Sequence, residues 1–309
     1  MKKLIALLLV LSMVLCLCAC GGKEEPVPVE PAKTEEAPAD PAVSLDPVTA
    51  ELGDYTVTLL AAEVFEDIDD EPAIRFYYDF TNNGDALVYA WSELSFAVTQ
   101  DGYELNETYD SSADDVPEYD NDMLNVIPGT TIRCIAEYSY NPDGGIIEVV
   151  VEEWYSEETM SMQFDPQNLQ GRPEELEMPV ISDPDWTAGM DTAGTLEEVF
   201  DVELVDYEFV EGYDDEKVLR VYANFTNNSE EATNMWIETY YLALQDGVEL
   251  NFGSPYETVT EDDNTSLDIE PGETIACAFS FVVRSDSPIE VMITDSWGEA
   301  CLGTVIPVA

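Results

Sequence analysis

The side chains that could do chemistry in this chain are overwhelmingly carboxylates. Among 309 residues, 67 Asp and Glu stand against 10 Lys and Arg, a formal charge of −57, and there is no histidine. The missing imidazole removes His-based metal sites and every nucleophilic triad that runs through a histidine base. Carboxylate pairs for glycoside hydrolysis could be drawn from almost any segment, and spacing in sequence does not fix the separation that reaction needs. A carboxylate-dependent hydrolase is therefore the weakest reading, and the chain reads as non-enzymatic. Acidic runs recur from Glu66 to Glu71, at Asp114-Asp115, at Asp120-Asn121-Asp122 and at Glu261-Asp262-Asp263. Calcium takes six to eight oxygen ligands, and Asp67, Asp69, Asp70, Asp120 and Asp122 are the candidates such loops offer. None has EF-hand spacing, and solvated loops are the ordinary outcome where carboxylates are this abundant. No other cofactor is called for.

Cations are rare enough to be informative. Arg75 and Arg220 are each followed two residues later by a tyrosine, Tyr77 and Tyr222. On the outer face of a sheet, Arg and Tyr could contact a glycan or an acidic partner. They could equally form a cross-strand network, the guanidinium lying over an aromatic ring or pairing with a carboxylate. Trp91, Trp154, Trp236 and Trp297 could be sugar-stacking platforms, although tryptophans more often plug a sandwich core. Cys134 and Cys277 alternate with apolar neighbours as small buried residues do, and Cys301 could reach Cys277 to form a disulfide.

The N-terminus supplies one cysteine with a different chemistry. Lys2-Lys3, an apolar run from Leu4 to Leu17, then Ala19-Cys20-Gly21-Gly22 follow the charged, greasy, small-residue order of a secretory signal. The run of about 14 residues is shorter than the ~20 that cross a bilayer as a helix. Leu17-Cys18-Ala19-Cys20 resembles a lipobox, which implies cleavage after residue 19 and diacylation of Cys20; the continuation looks like the start of lipoproteins from low-GC Gram-positive bacteria. Two acyl chains hold a protein on a membrane stably. The expectation is a chain anchored to the outer face of the cytoplasmic membrane and exposed at the cell surface. Residues 20–50, rich in Pro, Glu and Ala, read as a disordered stalk, extended at about 3.1 Å per residue to roughly 90 Å.

The elements that must position the remaining residues come in duplicate. Residues 73–107 align without gaps on 218–252 with 14 of 35 identical, including Phe80-Thr81-Asn82-Asn83 on Phe225-Thr226-Asn227-Asn228, Trp91 on Trp236 and Gln100-Asp101-Gly102 on Gln245-Asp246-Gly247. After a two-residue shift, Pro128-Gly129 meets Pro271-Gly272 and Cys134 meets Cys277. Arg75 and Arg220 thus occupy equivalent positions. Ile74, Phe76, Tyr78 and Phe80 alternate with other residues at the period of a strand, as do Leu219, Val221, Ala223 and Phe225. Further strands are expected over 131–138, 146–151, 274–281 and 289–293. The Asn-Asn pairs suit left-handed turn geometry, the Asp-Gly pairs tight hairpins, and the Pro-Gly pairs type II turns. About seven short strands in each copy of about 110 residues predict an antiparallel β-sandwich. The boundaries read as a signal at 1–19, a stalk at 20–50, sandwiches at 51–165 and 196–309, and a linker at 166–195.

The Phe-Thr-Asn-Asn turn, the Gln-Asp-Gly hairpin and the Pro-Gly turn before an alternating strand resemble a family of domains of unknown function in lipoproteins of gut Firmicutes. The resemblance covers both copies, roughly three quarters of the chain. It implies the immunoglobulin-like sandwich of a small secreted mycobacterial antigen, hence an all-β chain of two tandem immunoglobulin-like domains, and it carries no catalytic residues. So acidic a chain lacks the clustered Lys and Arg that nucleic-acid phosphates need. The expected partners are the membrane, through lipid, and an unknown extracellular protein or glycan. The expected role is a non-catalytic binding or structural module, the alternative being capture of a cation or small solute.

Overall fold

The computed structural model describes residues 45–109, 116–295 and 301–308. The signal, Cys20 and most of the stalk lie outside them, as do Asp114, Asp115 and Trp297. The architecture is all-β: four antiparallel sheets of four strands form two tandem sandwich-like domains. In the first copy, β1 (Val48–Leu52), β2 (Tyr55–Glu66), β3 (Pro72–Asn82) and β6 (Thr131–Ser139) make one sheet, in the order β1-β2-β3-β6. The facing sheet is β5-β4-β7-β8, from β4 (Leu94–Gln100), β5 (Tyr103–Glu104), β7 (Ile147–Glu153) and β8 (Thr159–Phe164). One helical turn, α1 (Ala90–Glu93), crosses between the sheets.

The second copy repeats this plan. Its sheets are β14-β11-β10-β9 and β13-β12-β15-β16. The strands are β9 (Ala193–Leu196), β10 (Phe200–Glu211), β11 (Lys217–Asn227), β12 (Thr239–Gln245), β13 (Val248–Glu249), β14 (Thr274–Val282), β15 (Ile289–Asp295) and β16 (Cys301–Ile306), with α2 (Met235–Glu238) in the place of α1. The register is copied too, Tyr78 facing Cys134 in one sheet and Ala223 facing Cys277 in the other. Even the bulge recurs, between Leu59 and Ala61 and between Leu204 and Asp206.

Alternation explains the cores. Ile74, Phe76, Tyr78 and Phe80 point between the sheets, where Phe76 meets Phe164 at 4.9 Å between ring centres. Burying each such ring contributes roughly 1.5–3 kcal/mol. The turn motifs behave as their residues predict at two sites in each copy. Asp101-Gly102 and Asp246-Gly247 all have positive φ, the hairpin geometry that favours Asp-Gly, and Gly129 and Gly272 take φ 83° and 84° in the Pro-Gly turns.

The Asn-Asn pairs do something else. Asn82 and Asn227 are fully buried, and neither pair has positive φ. The Asn82 amide donates to the carbonyls of Ala86 and Val126, and that of Asn227 to those of Glu231 and Ile269. Each tethers the turn after a strand to the chain that leads into the next one. Gln100 and Gln245 hold the Asn141–Gly145 and Arg284–Ser287 loops in the same way.

The two sandwiches are joined by more than a linker. The β12–β13 hairpin of the second copy lies against the Pro-Gly turn of the first: Ile127 N–H donates to Gly247 O, Glu249 N–H to Asn125 O, and the Asn125 amide to Glu249 Oε2 at 2.6 Å. Val248 completes the apolar core of the first copy, and Leu87 and Ile127 pack on the outer face of the second.

Candidate binding clefts

In both copies the edge of the sandwich at β6 or β14 is crossed by the chain that follows the Asp-Gly hairpin, leaving a cleft between that chain and the edge strand, which in the first copy the one-turn helix also lines. In the first copy, Glu107 bridges to Tyr138 of β6, and Thr108 N–H donates to Glu137 O. Further on, a 3-10 turn, Asn121–Met123, is tied to β6 by the Asn121 amide, which donates to Arg133 O. These two segments bring Glu107, Asp120 and Asp122 around a cleft of about 200 Å³, with Trp91 of α1, Phe96 of β4 and Tyr138 of β6 as ring walls. Among the described residues, no Lys or Arg pairs with any of the three carboxylates. Burial, and then the charges of Asp120 and Glu107, push the Asp122 carboxyl up to about 6. Burial and the neighbouring Glu107 push the Tyr138 phenol above its ordinary range.

The equivalent cleft in the second copy, about 380 Å³, has a different lining. Phe252 stands where Glu107 does, Thr265 where Asp122 does, and Ser280 where Glu137 does. Tyr213, Tyr241, Phe252 and Phe279 line it, Tyr241 lying 5.7 Å from Phe252 and 4.4 Å from Phe279 between ring centres, and Tyr256 packs against Tyr213 at 5.6 Å. Its carboxylate, Asp262, is held by Arg220, Nε to Oδ1 3.2 Å.

A family model described as a domain of unknown function, DUF5067, matches residues 30–148 and again 182–295. The chain belongs to this family. It carries two copies of the domain, and each match stops short of the last strand of its sandwich, β8 or β16. A solved structure of a "putative lipoprotein from Staphylococcus aureus subsp. aureus NCTC 8325" is similar at 19% identity over 39% of this chain and 94% of that one, with a TM-score of 0.30. No curated protein matches.

The family copies place the Arg-Tyr pairs alike. Arg75 Nη1 lies 3.0 Å from Glu63 Oε1, Tyr77 hydroxyl donates to the same oxygen, and the guanidinium sits over the Phe65 ring at 4.6 Å. Arg220, Tyr222 and Glu208 repeat the triad. These side chains do not form an open face. Tyr77 packs beneath Val116 and Ile135, because the chain after residue 115 covers the outer side of β3, and both arginines are buried. Burial and Glu63 push the Tyr77 phenol up to about 12. The Glu208 carboxyl is held below its usual range by hydrogen bonds from Tyr222 and Arg220.

The acidic run at 66–71 is a turn built on Asp67. Its Oδ1 accepts from the N–H of Asp69 and of Glu71, and Oδ2 accepts from Thr108, bonds that hold its carboxyl below the usual range. Asp69 and Asp70 are exposed beside it. Among the described residues no three Asp, Glu or Cys side chains converge on one point as metal ligands.

The tryptophans correct the expectation of core plugs. Trp91, Trp154 and Trp236 are 61%, 60% and 59% exposed. Leu, Val and Phe from the strands already fill the cores, and the one-turn helices carry Trp91 out to the rim of the first cleft and Trp236 onto the surface beside Tyr241. Cys277 and Cys301 remain thiols. Cys277 faces the core, whereas Cys301 lies on the outer side of its sheet, Sγ 3.5 Å from Met190 Sδ. Sequence reasoning missed Glu107, Tyr138 and Ser280. The signal that could have found them is the aligned repeat, in which Glu107 and Ser280 fall where the two copies differ.

Proposed function

We propose that the chain is a non-catalytic binding module, displayed outside a Gram-positive-type cell on a lipid anchor at Cys20, with two immunoglobulin-like domains at 51–165 and 196–309. The first cleft takes an organic ammonium group, from a free amine or from a basic side chain of an extracellular protein. One observation carries this reading: Asp122, partly buried with Glu107 and Asp120 beside it, has no cationic partner among the described residues and stands among ring faces. A carboxylate withdrawn from water is costly unless paired, and aromatic faces attract cations by about 0.5–2 kcal/mol. The carboxylates are spread around the cleft, an arrangement that suits a bulky cation with an apolar skirt better than the converging oxygens a calcium ion requires.

The test is calorimetric titration of the mature chain, Cys20 replaced by Ala, with choline and with its neutral isostere 3,3-dimethyl-1-butanol. Choline binds with one-to-one stoichiometry and about tenfold less tightly to the Asp122→Asn variant. Equal binding of the two compounds, or indifference to the variant, overturns the assignment. Choline, cadaverine and Nα-acetyl-lysine amide in parallel separate a quaternary group from a free diamine and from a protein side chain.

A further inference from the structure

The duplication provides an internal comparison, since one fold with one strand register carries two differently lined clefts. What the copies share is what the sandwich requires; where they differ, the side chains are free to serve something else. The Arg–Glu–Tyr triads, the buried Asn amides and the Gln clamps are shared. The acidic positions of the first cleft are mostly not, for Phe252, Thr265 and Ser280 replace Glu107, Asp122 and Glu137, and of the four only Asp120 meets another acid, Asp263.

The second cleft has two features that its own packing does not explain. The first is exposed aromatic surface. Tyr213 and Phe252 both stand more than half in solvent and line the one opening, with the exposed Tyr256 ring packed against Tyr213. Single exposed rings are normal on a protein surface, whereas gathered ones mark a recognition site. The second is Ser280, 7% exposed, whose hydroxyl lines the same cleft and has no hydrogen-bond partner among the described residues. A buried hydroxyl left unpaired costs free energy that a ligand hydroxyl would recover. Among the described residues, the one carboxylate lining the cleft, Asp262, is paired with Arg220, whereas Glu107, Asp120 and Asp122 of the first cleft have no cationic partner.

We infer that the second cleft is a separate site for a neutral saccharide, one sugar face stacking on the Tyr213 and Phe252 rings and one hydroxyl bonding to Ser280. Flat rings present a large apolar face at little entropic cost, and a pyranose offers a C–H face ringed by hydroxyls. An anionic polysaccharide is disfavoured by the −57 charge of the chain. An aliphatic ligand would leave the Ser280 hydroxyl unpaired.

The experiment titrates the mature chain, Cys20 replaced by Ala, with cellotriose, triacetylchitotriose and maltotriose up to about 10 mM, the range in which stacking of one or two rings is measurable. At least one of them binds. Tyr213→Ala, at an exposed position that leaves the core intact, lowers affinity about tenfold, while Trp154→Ala, at an exposed ring outside both clefts, leaves it unchanged. Ser280→Ala lowers saccharide affinity without lowering the melting temperature, a split that a structural role for the hydroxyl would not produce. Binding that ignores Tyr213→Ala, or no binding of any of the three, overturns the inference. Choline titrations on the same variants keep the two clefts distinct, since the saccharide site can fail while the ammonium site stands, and the reverse.

Discussion

Arg75 and Glu137 face each other across β3 and β6, Nε 2.6 Å from Oε1, both side chains almost wholly withdrawn from water. At the same register in the second copy Arg220 faces Ser280 and turns instead to Glu208 and Asp262. Glu137→Ala removes the more deeply buried of the carboxylates paired with Arg75 and leaves the guanidinium to Glu63, so it destabilises the chain by about 2 kcal/mol. Glu208→Ala removes a carboxylate whose side chain is nearly half exposed and costs less than about 1 kcal/mol. Urea unfolding of the two variants checks the ordering, and equal losses would show that burial does not set the strength of these pairs.

The buried asparagines give the second prediction. Asn82→Ala strips donors from the carbonyls of Ala86 and Val126, and Asn227→Ala does the same to Glu231 and Ile269. Each variant loses about 2–4 kcal/mol, from two carbonyls that each lose a donor, a backbone N–H of Gly84 or Ser229 that loses its side-chain acceptor, and a small void. The adjacent Asn83 and Asn228 are exposed, and their alanine variants stay within about 1 kcal/mol of the parent. Thermal melts of the four variants separate the positions.

These residues also mark how far the sequence could be read. Strands were legible because β3 and β11 alternate with period two, and the hairpins because Asp-Gly takes positive φ whatever surrounds it. The Asn-Asn motif was visible, but its role was not: local chemistry says that asparagine tolerates left-handed turns, and only the tertiary fold brings Val126 within reach of Asn82. For Arg75 and Tyr77 the outward direction follows from alternation. Their burial comes from the segment after residue 115, which has no periodicity of its own. The exposure of Trp91 and Trp236 was hidden for a similar reason, because residue type favours the core and a one-turn helix decided otherwise.

The docking of one copy on the other is a relationship between distant residues and gives the third prediction. Val248 lies on a hairpin of the second copy but in the apolar core of the first. Val248→Asp buries an unpaired carboxylate there and costs about 3 kcal/mol or more. Amides of β3 and β6, more than a hundred residues away in sequence, lose hydrogen-exchange protection along with those of β12. Loss confined to the second copy would show that the first core closes without Val248.

The last prediction concerns pH and has opposite signs for stability and for binding. Asp122 is faced by Asp120 on its own turn, by Glu107 and Tyr138 across the cleft, and by Tyr78 and Cys134 beneath it. The phenols and the thiol are pushed up by burial and stay neutral through the acidic range, so the carboxylates govern the titration. The folded value of Asp122, about 6, lies above its ordinary 3.8. A carboxyl raised in this way contributes stability that is fully present below the unfolded value and is lost as pH rises through the folded one. In empty protein, acidification from pH 7 to pH 5 therefore stabilises the first copy by at most about 1.4 kcal/mol, since only about one pH unit below the folded value is traversed. Asp122→Asn abolishes that gain by raising the melting temperature at pH 7 more than at pH 5. The Asp67 and Glu208 carboxyls, held low, act in the other direction, but only nearer pH 4 and below. Ammonium binding needs the ionised carboxylate, so choline affinity falls over the same interval in which stability rises. Melting curves and titrations at pH 7, 6 and 5 on parent and Asp122→Asn read both slopes. Stability and affinity moving together in the parent protein would mean that Asp122 is not the group that joins them.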